Sequence, residues 1–114
     1  MRKITLRPAV PGEEARWLFW DHHLPRERFR ELTETGRALW ICGGEEKAGL
    51  LRWGYFWDEI PFLNLIWLHE SCRGEGAGRA AMALWEDSLR KAGCRAAMTS
   101  TQADEGAQHF YRKL

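Results

Sequence analysis

This sequence of 114 residues contains few cysteines, and they form no cluster. Cys42, Cys72 and Cys94 are odd in number and far apart, and neither a Cys-x-x-Cys motif nor a Cys/His ligand cluster accompanies them. This pattern argues against a disulfide framework and against a structural zinc site. We therefore predict that the protein has no metal site.

Long apolar runs and an excess of one charge are also absent. The run at residues 65–68 is far shorter than the roughly 20 residues that a membrane-spanning helix needs, and the N-terminus lacks the apolar core of a signal peptide. The 17 Lys and Arg residues balance 16 Asp and Glu residues. This balance argues against nucleic acid or an acidic membrane as the main partner. We predict a cytoplasmic protein with neither of these partners.

The chain has the length of one domain, for which about 100–150 residues are typical. It contains no repeat, low-complexity tract or linker. We therefore predict a single domain over residues 1–114.

Hydrophobic periodicity predicts an α+β domain with a mixed sheet, in the order β-α-α-β-β-β-α-β-α. The predicted strands are residues 3–7, 38–42, 50–57, 62–69 and 94–99. The strand at 62–69 and the strand at 94–99 should form one parallel pair around the helix at 79–92. A capping box at residues 101–104 predicts a last helix, with Ala103, Ala107 and Phe110 on one face.

The chemistry is concentrated in the loop between the fourth strand and the third helix. Gly74, Gly76 and Gly78 lack Cβ atoms, so the backbone can adopt positive φ and approach a ligand closely. The unpaired N–H groups of the helix start and its dipole favour an anion there, such as phosphate or pyrophosphate. Arg73 and Arg79 flank the loop and can add charge-assisted hydrogen bonds.

Other interpretations of the loop are weaker or stay open. The glycines could serve packing alone. A nucleotide P-loop is excluded because no Lys-Ser/Thr follows. A dinucleotide fingerprint fits poorly, because the loop before the glycines is too long and the chain too short.

Three segments together resemble the GCN5-related N-acetyltransferase (GNAT) family. Residues 68–78 (LHESCRGEGAG) resemble its pyrophosphate loop, Gln/Arg-x-x-Gly-x-Gly/Ala, with Arg73, Gly76 and Gly78 at the matching positions. Residues 109–114 (HFYRKL) resemble its Phe-Tyr-x-x-Leu element, and residues 4–9 (ITLRPA) its first strand. The family pattern continues beyond Leu114 with two more strands, so we expect a C-terminally short form of this fold.

The resemblance implies that acetyl-CoA binds where the fourth and fifth strands separate. Backbone groups near Leu68 would pair with the pantetheine arm. Asp104 stands where the family often has an Asn that contacts pantetheine, although a helix-capping role is as consistent with its position. The backbone N–H groups of the loop would hold the pyrophosphate, and they belong to Arg73, Gly74, Glu75, Gly76, Ala77, Gly78 and Arg79.

The resemblance also implies that Tyr111 is catalytic, as the acid that protonates the departing thiolate. A phenol with a pKa near 10 is a suitable donor to a thiolate with a pKa near 8.5. Many relatives use a Glu in the fourth strand as general base, but this sequence has Asn64, which cannot accept a proton. Glu59, His69 and Glu70 are predicted to be turn or surface residues, so the amine's proton would go to solvent.

The resemblance implies that the acceptor is a small-molecule or peptide amine, whose identity the sequence leaves open. Aromatic residues of the strands are predicted to be core or interface residues, with a substrate pocket as the alternative; they are Trp53, Tyr55, Trp57 and Trp67. His22 and His23 lie between the first two helices, a region that often shapes the acceptor site in the family.

We therefore predict an N-acetyltransferase that transfers the acetyl group of acetyl-CoA to a primary amine by direct attack. The alternative is a CoA-binding or interaction module without turnover, because the family's last strands are missing. Their absence would leave the strand at 94–99 as an exposed edge, so we also predict a homodimer that covers this edge.

Overall fold

The computed structural model describes residues 3–103 and 106–114, with side chains for residues 3–99 and 111–114. It contains one six-stranded sheet, with the strands in sequence order, and helices on both faces. The strands are β1 (Ile4–Pro8), β2 (Ala38–Gly43), β3 (Glu46–Phe56), β4 (Ile60–Leu68), β5 (Ala96–Ala103) and β6 (Gly106–Lys113). The helices are α1 (Glu14–Trp20), α2 (Arg26–Glu34) and α3 (Ala77–Lys91), with a short 3₁₀ helix at Glu70–Cys72.

The sheet is mixed, as the sequence predicted. Every pair of neighbouring strands is antiparallel except β4 and β5, which are parallel and are connected through α3. The predicted α+β class and the parallel pair are confirmed. Within the described ranges, no helix has the length and apolar character that crossing a membrane requires.

Alternation along the strands produces two separate cores. Neighbouring strand residues point to opposite faces, so Trp40 packs beneath α1 and α2, whereas Ile41 packs beneath α3. On the first face the buried side chains include Trp17, Phe29 and Leu50. On the second face the buried side chains of α3 include Ala81, Trp85 and Leu89.

Strand β4 contains an extra residue opposite β3. Arg52 pairs with Leu65 and Trp53 pairs with Leu63, so Asn64 has no partner on β3 and forms a β-bulge. A glycine inside a strand often indicates a bulge, but Gly54 of β3 pairs regularly with Phe62. The bulge shifts the alternation, so that Leu63 packs towards α3 and Leu65 towards α1 and α2.

The predicted last helix is wrong, because residues 106–113 form strand β6. Apolar spacing in so short a segment fits a strand as well as a helix, and pairing with β5 satisfies backbone groups that an edge strand would leave open. The register runs from Ala96 opposite Lys113 to Ala103 opposite Gly106. An ion pair also connects β6 to α3, with Arg112 Nε 3.3 Å from Glu86 Oε2.

The predicted exposed edge at residues 94–99 is therefore also wrong. Strand β5 has β4 on one side and β6 on the other, and its N-terminal part pairs with the last residues of the chain. This removes the reason for which the homodimer was predicted.

Candidate functional site

The parallel strands β4 and β5 separate soon after they meet. They pair at only two positions, Phe62 with Met98 and Leu63 with Thr99. Beyond the bulge at Asn64, β4 continues beside β3 to Leu68, and no strand of the described residues pairs with its other edge there. The separation leaves an open edge of β4 that leads towards the N-terminus of α3.

A cleft of about 540 Å³ lies along this open edge. Its lining residues come from the end of β4, the loop and the first turns of α3, and they are Ile66, Trp67, Leu68, Arg73, Gly78, Arg79 and Met82. Apart from the two arginines the lining is apolar. The structure thus brings together four of the predicted cofactor-binding residues on the wall of one cleft.

The loop before α3 has the backbone conformation that its glycines make possible. Gly74 and Gly76 have φ values of +82° and +81°, and a Cβ atom at either position would meet no atom within 4 Å. Glycine is therefore needed at these two positions because of the backbone conformation and not because a side chain would clash. At Gly78 the reason differs, because a Cβ there would lie 3.3 Å from Leu68 Cδ1, where α3 packs closely against β4.

The N-terminus of α3 carries a row of free backbone donors. Gly76 occupies the N-cap position, where no side chain caps the helix. In the described part of the chain, none of the N–H groups from Gly74 to Arg79 has a hydrogen-bond partner. These donors and the positive end of the helix dipole together form a preorganised anion site.

Arg73 lies between this loop and the open edge of β4. Its Nε donates to the carbonyl of Leu68 over 2.9 Å, and its guanidinium carbon lies 5.8 Å from the centre of the Trp67 ring. Because the N–H of His69 points to β3, where it donates to Ala48, strand alternation directs the backbone groups of Ile66 and Leu68 to the open edge. The Leu68 carbonyl is thus occupied by Arg73, while the groups of Ile66 face the cleft.

The remaining predicted site residues lie in different places. Glu75, Gly76 and Ala77 line a separate, smaller cavity of about 50 Å³, together with residues of β1, β2 and β3. Tyr111 lies on β6 opposite Met98, which in turn pairs with Phe62 at the closed end of the gap. Tyr111 is 58% exposed and does not line the cleft. Asp104 lies outside the described residues.

The structure identifies no general base at the cleft. Among the described residues, no carboxylate lines it, and Asn64 is exposed at the bulge. His69 accepts a hydrogen bond at Nδ1 from the N–H of Ser71 over 3.2 Å, with Ser71 Oγ 2.8 Å away. The neutral ring therefore carries its proton on Nε2, where it is a donor. The described residues also contain no cluster of three or more side chains suited to a metal.

A second concave region, which we call the aromatic groove, lies on the face of the sheet covered by α1. It consists of two adjoining cavities of about 580 and 440 Å³ that share Phe19, Trp20 and His69. The smaller cavity also shares Trp67 and Arg73 with the cleft. The aromatic groove therefore continues from the cleft, around Trp67, to the surface of α1.

Most of the residues that line this groove were not predicted from the sequence. Trp67 was considered for a pocket together with Trp53, Tyr55 and Trp57. However, Trp53 packs against Trp85, with 6.0 Å between the ring centres. Tyr55 and Trp57 are exposed and do not line the groove. His22, which was singled out between the helices, does line the smaller cavity.

Two anchors hold α1 over the sheet beside this groove. Asp21, which is 5% exposed, accepts hydrogen bonds from Arg52 Nε at 2.7 Å and from the Trp17 indole at 3.1 Å. Glu13 accepts from the N–H of Val10 and the Trp40 indole. Burial raises the pKa of Glu13, but these bonds and that of Arg7 outweigh it and lower the pKa to about 2.

Comparison with known structures finds the same fold in acetyltransferases. An acetyltransferase from Thermus thermophilus matches with 19% identity and a TM-score of 0.68, covering 100% of both chains. A GNAT acetyltransferase from Bacillus cereus matches with 16% identity and a TM-score of 0.68, covering 97% of both.

N-acetylglutamate synthase from Neisseria gonorrhoeae, in complex with coenzyme A and N-acetyl-glutamate, matches with 13% identity and a TM-score of 0.74. The match covers 89% of this chain but only 26% of the synthase. A comparison with curated protein sequences finds no match.

The family comparison extends over almost the whole chain. The model of the acetyltransferase (GNAT) family, whose members use acyl-CoA, matches residues 8–114. The resemblance expected from the sequence is thereby confirmed: this protein belongs to the GNAT family of acetyltransferases.

Proposed function

We propose that this protein transfers the acetyl group of acetyl-CoA to a primary amine, with the cofactor bound in the cleft at the open edge of β4. The observation that carries this proposal is the row of free N–H groups from Gly74 to Arg79 at the end of that cleft. An anion site that continues into an apolar cleft suits a ligand with a pyrophosphate at one end and a long, thin arm.

The pyrophosphate would lie on the N–H groups of the loop. Charge-assisted hydrogen bonds to backbone N–H groups are stronger than neutral ones, and the dipole of α3 adds to them. Arg79 lines the cleft and has no partner among the described residues. Its guanidinium, together with the free nitrogens of Arg73, would balance part of the pyrophosphate charge.

The pantetheine arm would run beside β4 as an added strand. The backbone groups of Ile66 face the open edge, and they can exchange hydrogen bonds with the amides of the arm. The Leu68 carbonyl would become available if Arg73 turned from it towards the pyrophosphate. Asp104 keeps its predicted role as a pantetheine contact.

The reaction would be a direct attack of the amine nitrogen on the thioester carbonyl. A C–N bond forms, the C–S bond breaks, and the thiolate leaves with a proton supplied by an acid. Backbone donors near the bulge at Asn64 would stabilise the oxyanion. The proton that the amine loses would go to solvent, because no described carboxylate lines the cleft.

Tyr111 remains our proposed acid, since a phenol is a suitable proton donor to a departing thiolate. Tyr111 lies on β6 opposite Met98, at the closed end of the gap. The sulfur of the pantetheine arm must therefore reach this end. Turnover by Tyr111→Phe therefore tests the role directly.

Calorimetric titration with acetyl-CoA tests the cofactor site. The unmodified protein should bind, and Gly76→Asp should raise the Kd by about a thousandfold, because it places a negative charge among several charge-assisted bonds worth about 1.5–3 kcal/mol each. Gly93→Asp is the matched control, since Gly93 also has a positive φ and open space around it but lies beyond the other end of α3. Absence of acetyl-CoA binding by the folded protein would refute the proposal.

The second candidate function is a CoA-binding or interaction module without turnover. The exposed position of Tyr111 and the lack of a carboxylate among the described residues that line the cleft favour it. Tight binding of acetyl-CoA with no product from any amine would support this module over the enzyme. Turnover that falls in Tyr111→Phe would support the enzyme.

A further inference from the structure

We propose that Arg37 and Asn64 bind a carboxylate of the acceptor over Gly54, so that the preferred substrate is an unbranched amine with a carboxylate at its other end. This inference rests on the proposed acetyl transfer and names its substrate class. Three observations support it: the room over Gly54, the free donors that border this room, and its position in the sheet beside the bulge.

The room over Gly54 is bordered by two hydrogen-bond donors. The point that a Cβ atom of Gly54 would occupy lies 3.3 Å from Asn64 Nδ2 and 3.5 Å from Arg37 Nη1. Gly54 pairs regularly with Phe62 and has no positive φ, so the backbone conformation does not require glycine here. The missing Cβ instead leaves room between the two donors.

Both donors lack an acceptor in the described part of the chain. Arg37 donates through Nε to Thr35 Oγ1 over 2.8 Å, and its guanidinium carbon lies 5.7 Å from the centre of the Tyr55 ring. These contacts hold the guanidinium in place, while its two Nη atoms have no partner among the described residues. The same holds for the side-chain amide of Asn64 within the described ranges. Two neighbouring donors with no acceptor between them favour an anionic oxygen group.

The charge at this position matches one carboxylate. Arg52 lies two residues earlier on β3, but Asp21 already balances its charge, with 2.7 Å between Arg52 Nε and Asp21 Oδ2. Arg37 therefore contributes one unbalanced positive charge, which equals the charge of a carboxylate and is smaller than that of a phosphate. The planar guanidinium also matches the planar carboxylate in geometry.

The position of this site in the sheet brings it close to the proposed reaction. One row of paired residues crosses the four strands from β3 to β6, and it consists of Gly54, Phe62, Met98 and Tyr111. Residues opposite each other on paired strands share a face of the sheet, so the row leads from the proposed carboxylate site to the proposed acid. The gap between β4 and β5, where we place the thioester, opens next to this row at the bulge of Asn64.

The strand spacing sets the length of the acceptor. Neighbouring strands lie about 4.8 Å apart. A carboxylate over β3 and an amine in the gap beyond β4 are therefore separated by between one and two strand spacings, or roughly 5–10 Å. In an α-amino acid the two groups are too close together for this separation, whereas the ends of extended δ-aminovalerate fall within it.

Three probes of matched length test the inference by calorimetry, each titrated with and without CoA. They are δ-aminovalerate, δ-aminovaleramide, in which a neutral amide replaces the carboxylate, and aminopropyl phosphate, in which a phosphate replaces it. We expect δ-aminovalerate to bind about tenfold or more tightly than either of the others, since a charge-assisted hydrogen bond accounts for a factor of this order. In turnover assays the same preference should lower the KM of δ-aminovalerate relative to that of its amide.

Variants of Arg37 and Gly54 test where the carboxylate binds. Arg37→Ala should abolish the advantage of δ-aminovalerate over its amide, and Arg37→Lys should keep part of it. Gly54→Ala, which places a methyl group between the two donors, should reduce the advantage although both donors are present. Arg90→Ala, on the exposed surface of α3, is the matched control and should change neither affinity.

The results that would overturn the inference are equal affinities for the acid and the amide, tighter binding of the phosphate, or an advantage of the acid that survives in Arg37→Ala. These results can be separated from the outcome for the proposed function. If acetyl-CoA binds and its acetyl group is transferred to other amines, the transferase stands even when δ-aminovalerate shows no advantage. If acetyl-CoA does not bind, the transferase proposal fails whatever the probes do.

Discussion

The glycine loop before α3 and the aromatic groove are built in different ways. The anion site consists of backbone N–H groups in one short segment, from Gly74 to Arg79. The groove consists of side chains from α1, the α1–α2 loop, β2, β3, β4 and the residues that follow it. A backbone site tolerates any side chain that permits the conformation, whereas a side-chain site depends on how distant elements pack. The two regions should therefore respond differently to mutation.

The largest effect after loss of cofactor binding is expected for the anchor beneath the groove. Asp21→Ala leaves the Arg52 guanidinium without its partner, and breaking such a largely buried pair costs about 3 kcal/mol of unfolding free energy. Urea unfolding measures this change. Glu31→Ala, which breaks an exposed pair with Arg28, should cost under about 0.5 kcal/mol.

The same variant sharpens the comparison between the regions. Asp21→Ala should loosen α1 over the aromatic groove, because α1 loses its attachment to Arg52 of β3, and should leave acetyl-CoA affinity unchanged. A loss of acetyl-CoA affinity in the folded variant would mean that the two regions are one cooperative unit.

Tyr111→Phe should lower kcat by about a hundredfold, the lower end of the range for a general acid. The Kd for acetyl-CoA should not change, because Tyr111 does not line the cleft. Turnover assays at saturating acetyl-CoA measure kcat, and calorimetric titration measures the Kd. An unchanged kcat would remove Tyr111 from the mechanism and leave the proton to solvent.

The smallest effect concerns the second anchor of α1 and depends on pH. The pKa of Glu13 is lowered to about 2 in the folded protein, so its contribution is complete above the unfolded pKa and is lost as the pH falls through the folded value. A shift of this size corresponds to roughly 3 kcal/mol, but solvent screens the pair with Arg7, whose side chain is partly exposed. We therefore expect about 1–2 kcal/mol of unfolding free energy to disappear between roughly pH 4.5 and pH 2. Glu13→Gln should be less stable near neutral pH and should lose less on acidification. A parallel decline in both proteins would contradict the assignment.

Local patterns were sufficient for the loop and for most of the fold. Alternate glycines after an apolar strand indicate an anion site wherever the helix begins directly afterwards, and Gly74 and Gly76 have the required positive φ. The apolar residues Ala81, Trp85 and Leu89 recur with the period of a helix and form the buried face of α3. These features depend on residues close in sequence, which is why they could be predicted.

The last element could not be predicted in the same way. Residues 106–113 carry too few apolar positions to distinguish a helical from an alternating pattern, and the open edge of β5 decided between them. The bulge at Asn64 could likewise not be predicted from the sequence, because it depends on the register between β4 and β3.

The sequence by itself determined the mixed α+β class, the glycine loop for which we propose an anion site, and the family that they indicate. The tertiary structure alone decided where β4 and β5 separate, that β6 covers β5, and that Arg16, Trp20, Trp67 and Glu70 line one continuous groove. The reason is physical: backbone conformation follows from neighbouring residues, whereas strand register and the convergence of side chains follow from how distant segments pack.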